Sequence, residues 1–358
     1  MKYTRGLLFA LIVALILVGC SSDDEDEPAT TVPTDVPEVS QAAEEPVRIL
    51  RLDSYHIEFP WTAEITRGVV QSLMDNGYEV DGENVILDEF FMDTKRNTSE
   101  EYFDQIAADT IAYIEETQPD VVIASDDNAA GMVVQPMRSG SIPFVILGLN
   151  GQPEAYEFDA DANVTAVLER PHTTAMLEWI QQVIGDEARI SILAEDSPTT
   201  ERMFGDGVVQ QTIEDSPLEF VGMNATNDLE EWQAYVAEAA ETSDVLFLGA
   251  YATLRDADGN AVEAVEALRW TLDNSEIPVM GFWEEAVHEG TVGGSVISGY
   301  VQGYEAAERA IALLNGTPAS ELGHSAPPRG KLIINQAAMD KWDIQVPLDL
   351  LEVSEIVQ

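Results

Sequence analysis

Polar and aromatic side chains collect where short apolar runs stop. The run Ile49-Leu50-Arg51-Leu52 ends in Asp53-Ser54-Tyr55-His56, and Trp61 follows in the same loop. Val121-Val122-Ile123-Ala124 ends in Ser125-Asp126-Asp127-Asn128, and the run from Ile142 to Leu147 ends in Gly148-Leu149-Asn150. Later in the chain, Arg189 to Ala194 ends in Glu195-Asp196-Ser197, and Val245 to Leu248 ends in Gly249-Ala250-Tyr251. Ile277 to Met280 ends in Gly281-Phe282-Trp283-Glu284. A few directed polar groups among aromatic walls is the composition of a small-ligand pocket. The candidate contacts are Ser54, Tyr55, His56, Trp61, Asp126, Asp127 and Asn150 from the first half, with Asp196, Tyr251, Trp283 and Glu284 from the second. Plainer roles compete with this one. Asp126, Asp127 and Asp196 also stand where helix N-caps stand. Trp61 could pack a helix onto its loop, and Trp283 could brace a crossing between the halves.

Catalytic patterns are missing. The histidines, His56, His172, His288 and His324, share no metal-ligand spacing, and HExxH, Walker and GxGxxG motifs are absent. No GxSxG elbow occurs either. Ser54 and His56 form an i, i+2 loop pair, which is poor evidence for a nucleophile and its base. The only cysteine, Cys20, excludes disulfides within the chain and a cysteine-based metal site. The expectation is a binding protein with no cofactor and no metal.

These residues are positioned by strands that alternate with helices. The expected strands are 47–52, 84–92, 121–124, 142–147, 189–194, 218–223, 244–248, 277–280 and 293–297, with a last extended segment at 331–335. The expected helices are 62–76, 99–116, 129–138, 172–184, 199–213, 229–241, 260–272 and 303–315. Thr62 is the expected N-cap of the first, Glu64 lies in its first turn, and Gly77 closes it. The halves match in order: PDVVIAS pairs with SDVLFLG, and IPFVILGLN with IPVMGFW. The fold class is therefore α/β, with two doubly wound parallel-sheet lobes. Residues 47–150 with 285–320 are assigned to an N-terminal lobe, and 151–284 with 321–358 to a C-terminal lobe.

The N-terminus has a separate purpose. Lys2 and Arg5 precede an apolar run, Leu7 to Val18, that ends in Leu17-Val18-Gly19-Cys20. This reads as a lipoprotein signal peptide over 1–20, with Cys20 acylated and the chain anchored on the outer face of a membrane. Residues 21–46 contain SSDDEDE and no basic residue, the composition of a solvated tether; calcium binding by Asp23 to Glu27 is the weaker alternative.

With 358 residues the chain carries a formal charge of −49, and its lysines are Lys2, Lys95, Lys331 and Lys341 alone. Such a surface repels nucleic acid and anionic lipid. It suits a salty exterior, where screening weakens self-repulsion.

The chain resembles the ABC transporter substrate-binding family of type I periplasmic binding proteins, which includes tryptophan- and tyrosine-binding lipoproteins. The resemblance runs from about Val47 to the C-terminus. It rests on SYHIEFPWTAEITRG at 54–68, PDVVIASDDNA at 119–129, NVTAVLE at 163–169, GFWEEAVHEGTVGGSVISGYVQGYEAAERAIALLNG at 281–316, and NQAAMDKWDIQVP at 335–347. It implies two lobes joined by three crossovers, with a ligand trapped between them on closure. A monomer that delivers a small molecule, such as an amino acid or another small polar or aromatic solute, to an ABC permease is the first functional expectation. The SYH…PWT start is similar to a branch associated with sensory signalling. A ligand-binding subunit that contacts a membrane receptor or histidine kinase is therefore the alternative. An exported enzyme using Ser54, His56 and an acid is the third reading.

Cys20→Ser is expected to abolish acylation, because the two acyl chains that give stable anchoring are attached there. Labelled palmitate that still incorporates into the variant would refute the anchor.

Overall fold

The first strand, β1 (Val47–Asp53), has β2 (Val85–Phe91) on one side and β3 (Val121–Ser125) on the other, both parallel to it. In the computed structural model, residues 46–358 are described apart from 81, 83, 160 and 161. The signal peptide, Cys20 and the tether up to residue 45 lie outside the described residues. Beyond β3 the sheet continues through β4 (Phe144–Leu149) and β5 (Val164–Leu168). The second sheet contains β6 (Arg189–Ala194), β7 (Glu219–Ala225), β8 (Val245–Leu248) and β9 (Val279–Gly281). The remaining strands are β10 (Gly293–Val296), β11 (His324–Ser325), β12 (Lys331–Asn335) and β13 (Glu355–Val357).

The first sheet runs β11-β5-β4-β3-β1-β2 and the second β7-β6-β8-β9, every pairing parallel. In each sheet the first strand lies between its successor and the third. The strand order reverses there, leaving a crevice at the carboxyl ends, where ligands of doubly wound folds sit. Helices cover both faces, so β3 and β4 are buried throughout and read as unbroken apolar runs. This is the type I periplasmic binding protein architecture.

Several expectations change. β5 extends the first sheet beyond the lobe boundary expected at residue 150, and β11, assigned to the C-terminal lobe, is that sheet's edge. The first helix is Pro60–Asp75, not one capped by Thr62. Phe59 occupies the cap position with no side-chain bond, and Pro60 starts the helix where its missing N–H costs nothing. Gly77 does follow its end in the left-handed region, at φ 83°. The helix expected over 199–213 is two, Pro198–Phe204 and Val208–Glu214, separated at Gly207 (φ 73°). That over 129–138 begins at Asp126 and includes a π turn, Ala130–Val134.

The chain passes between the lobes after β5, after β10 and after β11. The passages meet at a small sheet in which β12 pairs antiparallel with β10 and parallel with β13. Glu284 is buried there. It accepts bonds from Ser298 Oγ and Lys331 Nζ, lies 3.3 Å from His288 Nε2, and has no place on the cleft wall. Burial alone would raise its pKa; these partners more than offset that and hold the carboxyl below its ordinary range.

Helix Pro60–Asp75 crosses helix Gly299–Leu314 with almost no space between the backbones. A Cβ on Gly68 would sit 2.0 Å from the Tyr300 carbonyl oxygen, and one on Gly303 would sit 2.3 Å from that of Ile65. Because backbone cannot rotate away, Gly68→Ala is expected to cost about 1–3 kcal/mol, the usual range for overpacking. An unchanged denaturant midpoint would contradict so close a crossing.

Candidate functional site

At the carboxyl ends of both sheets lies a cavity of about 440 Å³. The first lobe contributes the loop after β1 and the start of its helix, with Tyr55, Phe59 and Trp61, plus Asp126 after β3 and Asn150 after β4. The second contributes Thr199, Ala250, Tyr251 and Leu268. Glu169, at the exit from β5, and Trp283 and Glu285, after β9, complete the wall.

Two indoles are fixed by carboxylates. Trp61 Nε1 donates to Asp126 Oδ1 at 3.0 Å, and Trp283 Nε1 donates to Glu169 Oε1 at 2.7 Å. The second oxygen of Glu169 accepts from Asn150 Nδ2 at 3.2 Å. Asp126 has φ 69°, a left-handed conformation that aspartate tolerates better than most residues. Its carboxylate packs against Gly148, where a Cβ would come within 2.9 Å of Oδ1. Lys95 Nζ lies 4.7 Å from the centre of the Tyr55 ring and 5.6 Å from that of Phe59, a cation held over aromatic faces.

The electrostatics of the wall follow from burial. Asp126 is pushed well above its ordinary pKa, first by desolvation and then by the Glu169 charge. Desolvation raises Glu169 to about 8 against the opposing bond from Trp283, with Asp127 and Glu285 adding repulsion. Glu285 is raised to about 7 by burial, with Glu284 and Glu64 adding to it. The second wall cation, Arg67, is engaged with both oxygens of Glu64 at 2.7 Å.

Of the sequence-predicted contacts, Tyr55, Trp61, Asp126, Asn150, Tyr251 and Trp283 come together on this wall. The others do not reach it. Ser54 is buried, donating to the Ser125 carbonyl and accepting from Ala129 N, so its hydroxyl joins the ends of β1 and β3. His56 lies tilted against Phe59 with Nδ1 3.4 Å from Asp93, and it shares no hydrogen bond with Ser54. Asp127 instead accepts from the backbone of Asn150 and Gly151 and from Tyr156, pinning the loop after β4. Asp196 is exposed; its buried neighbour Glu195 accepts from the backbone of Ala252 and Thr253 and shapes the loop that carries Tyr251. None of the three aspartates caps its helix through the side chain; Ser197 caps the one after β6.

Sequence reading missed Phe59, Lys95, Glu169 and Glu285. Glu169 closes NVTAVLE, a stretch whose strand, β5, is not among the expected ones. Glu285 lies one residue beyond the acid selected. One potential metal-ligand group occurs among the described residues, Glu284, His288 and Glu355, with ligand atoms within 4.8 Å of one another. Lys331 Nζ already supplies its positive charge, bonding Glu284 and lying 3.0 Å from Glu355.

A two-lobed α/β protein whose strand ends enclose an aromatic, acid-lined cavity is a solute-binding protein in form. Residues 54–357 match the model of the family described as ABC transporter substrate binding protein, and the chain belongs to that family. Its fold and its members are those of extracytoplasmic binding proteins rather than of enzymes. Among solved structures, a conserved domain protein from Vibrio cholerae is similar at 18% identity and TM-score 0.65, covering 88% of this chain and 100% of its own. A Streptococcus pneumonia domain in complex with L-Trp matches at 16% identity and TM-score 0.64, covering 87% and 100%. A ligand-free, open substrate binding protein with adhesive properties from Clostridium difficile matches at 17% and 0.65, covering 87% and 99%. No curated protein matches the chain.

Glu285 offers a test of the wall's electrostatics. Its folded pKa of about 7 exceeds the ordinary 4.5, so the stability it contributes is complete below about 4.5 and is lost as pH rises through about 7. Its Oε2 has no hydrogen-bond partner to lose. Ligand-free Glu285→Gln is therefore expected to match wild type at about pH 4 and exceed it by about 1–3 kcal/mol at pH 9, allowing for partial solvent screening. Equal melting temperatures at pH 9 would remove the proposed strain.

Proposed function

We propose that this protein is the lipid-anchored, extracytoplasmic solute receptor of an ABC importer, capturing a small molecule between its lobes and presenting the closed form to a membrane permease. The observation that supports this best is the cavity itself: both lobes and the passages between them supply its wall, so an occupant would draw them together. We draw the lobes as 47–169 with 299–325, and 173–298 with 331–358. The proposed ligand contacts are Tyr55, Phe59, Trp61, Asp126, Asn150, Glu169, Tyr251, Trp283 and Glu285. Ser54, Asp127 and Glu284 act instead as supports. Among the described residues no helix is long and apolar enough to cross a membrane, and attachment is assigned to the acylated Cys20. The receptor works as a monomer, since each chain has a complete cavity wall.

A ligand favours the closed state only through contacts it makes better there. A small-molecule fraction of spent growth medium is therefore expected to raise the melting temperature and reduce the radius of gyration in solution scattering. Stabilisation reaches about 2.7 kcal/mol at a hundredfold excess over Kd. Trp61→Ala and Trp283→Ala should each weaken the response while leaving far-UV dichroism unchanged. A fraction that supports growth but changes neither quantity would refute solute capture. Ligand-dependent crosslinking to a sensor kinase, with none to a permease, would replace the importer by a sensory partner.

A further inference from the structure

The unpaired atoms of the wall share one chemical character. Among the described residues, the buried side-chain atoms of this cavity without a hydrogen-bond partner are Asp126 Oδ2, Asn150 Oδ1 and Glu285 Oε2. All are acceptors. Asn150 cannot present its amide nitrogen instead, because Nδ2 already faces the Gly148 carbonyl and Glu169 Oε2. The indole donors are committed to Asp126 and Glu169. Asp126 is 3% exposed and Asn150 8%, so both are nearly closed off from bulk solvent. A buried acceptor left unpaired is costly, and an occupant that brings N–H donors recovers that cost.

Charge narrows the choice further. Asp126, Glu169 and Glu285 are on the wall, while Arg67 is tied to Glu64 and Lys95 lies over the Tyr55 and Phe59 rings. A neutral hydroxylated solute would satisfy acceptors but leave the acids uncompensated. A solute carrying its own carboxylate would add a further negative charge where one lysine is available to meet it.

We propose that the solute is a small organic cation without a carboxylate, its protonated amine received by Asp126, Asn150 and Glu285 and its flat or apolar body lying against the aromatic wall. This rests on the cavity being the solute site. The ammonium supplies the missing donors through charge-assisted bonds, stronger than neutral ones, and the ring faces stabilise the same charge. Binding is coupled to protons. Burial and mutual repulsion raise all three wall acids, Glu169 to about 8 and Glu285 to about 7, so these two glutamates hold protons over part of the neutral range, with Asp127, Glu64 and Glu284 adding to the repulsion and Lys95 opposing it. An entering cation reverses that balance, so protons leave and affinity rises with pH until the amine itself deprotonates.

Calorimetric titration of the purified full chain with tryptamine and tyramine tests this against tryptophan, tyrosine, choline and glucose. Each amine is expected to bind at least about tenfold more tightly than its parent amino acid and to release protons. Its affinity should rise by up to about tenfold per pH unit between pH 6 and pH 8 for each proton released, by linkage. Glu285→Gln and Asp126→Asn should each weaken the amines by about tenfold or more; Glu285→Gln keeps the test open if Asp126→Asn fails to fold. An amino acid that outbinds its amine, or glucose binding, would overturn the cationic class and leave solute capture standing. Choline binding as tightly as the primary amines would overturn the role given to the unpaired acceptors. If no probe binds while the growth-medium fraction still closes the lobes, the amine class falls alone. If that fraction also fails, the solute-binding reading falls with it.

Discussion

Two indole N–H groups held by two buried carboxylates set the terms for the site. Asp126 and Glu169 are desolvated at strand ends, and their indole bonds are neutral-donor bonds that stabilise the acids without neutralising them. Each bond also fixes a ring against rotation. Trp61 needs room to lie flat against its own lobe, and glycine provides it twice. A Cβ on Gly148 would approach Trp61 at 3.4 Å, and one on Gly299 would approach its ring at 3.1 Å. The positive φ of Gly148, 65°, makes any larger residue doubly unfavourable there. Sterics therefore keep the ring in place, and the ring keeps one oxygen of Asp126 occupied. The other oxygen has no hydrogen-bond partner.

Adjacent glutamates show how position decides electrostatics. Glu284 and Glu285 are neighbours in sequence, yet one is lowered and the other raised to about 7. Glu284 points into the hinge, where Lys331, Ser298 and His288 surround it. Glu285 points toward the cleft and finds no partner for Oε2. A paired buried charge constrains the backbone around it, which suits a hinge that must keep its register through motion. An unpaired one stores unfavourable energy that a ligand can relieve, which suits a site that must discriminate.

The same one-residue distinction explains what the sequence could reveal. Apolar runs such as Val121 to Ser125 and Phe144 to Leu149 are buried on both faces, so their positions, and hence the strand-end loops, were legible without coordinates. β5 was less so: Val164–Leu168 is short, and no turn pattern separates it clearly from the loop before it. Which side chain at a strand end faces the ligand depends on the pleat and on the first turn that follows. Neither has a compositional signature. Thus composition points to Asp196 where Glu195 is the buried acid, and to Ser54 and Tyr55 alike where only Tyr55 lines the wall. Lys95 was beyond reach for a different reason. It comes from the loop after β2, which carries no aromatic cluster, and only the folded chain brings it over Tyr55 and Phe59.

Acidity on the surface and acidity in the cavity have different physical consequences. Most of the acids behind the formal charge of −49 lie outside the cavity, and between exposed charges interactions beyond about 8 Å are largely screened at physiological ionic strength. Such charge maintains solubility and draws cations weakly, without choosing among them. The carboxyl groups of Asp126 and Glu169 are buried, so salt screens them far less. An external rise in salt would therefore silence most of the surface field while leaving the cavity's demand for donors and positive charge almost intact. The proposed selectivity rests on the few acids that burial has separated from the many.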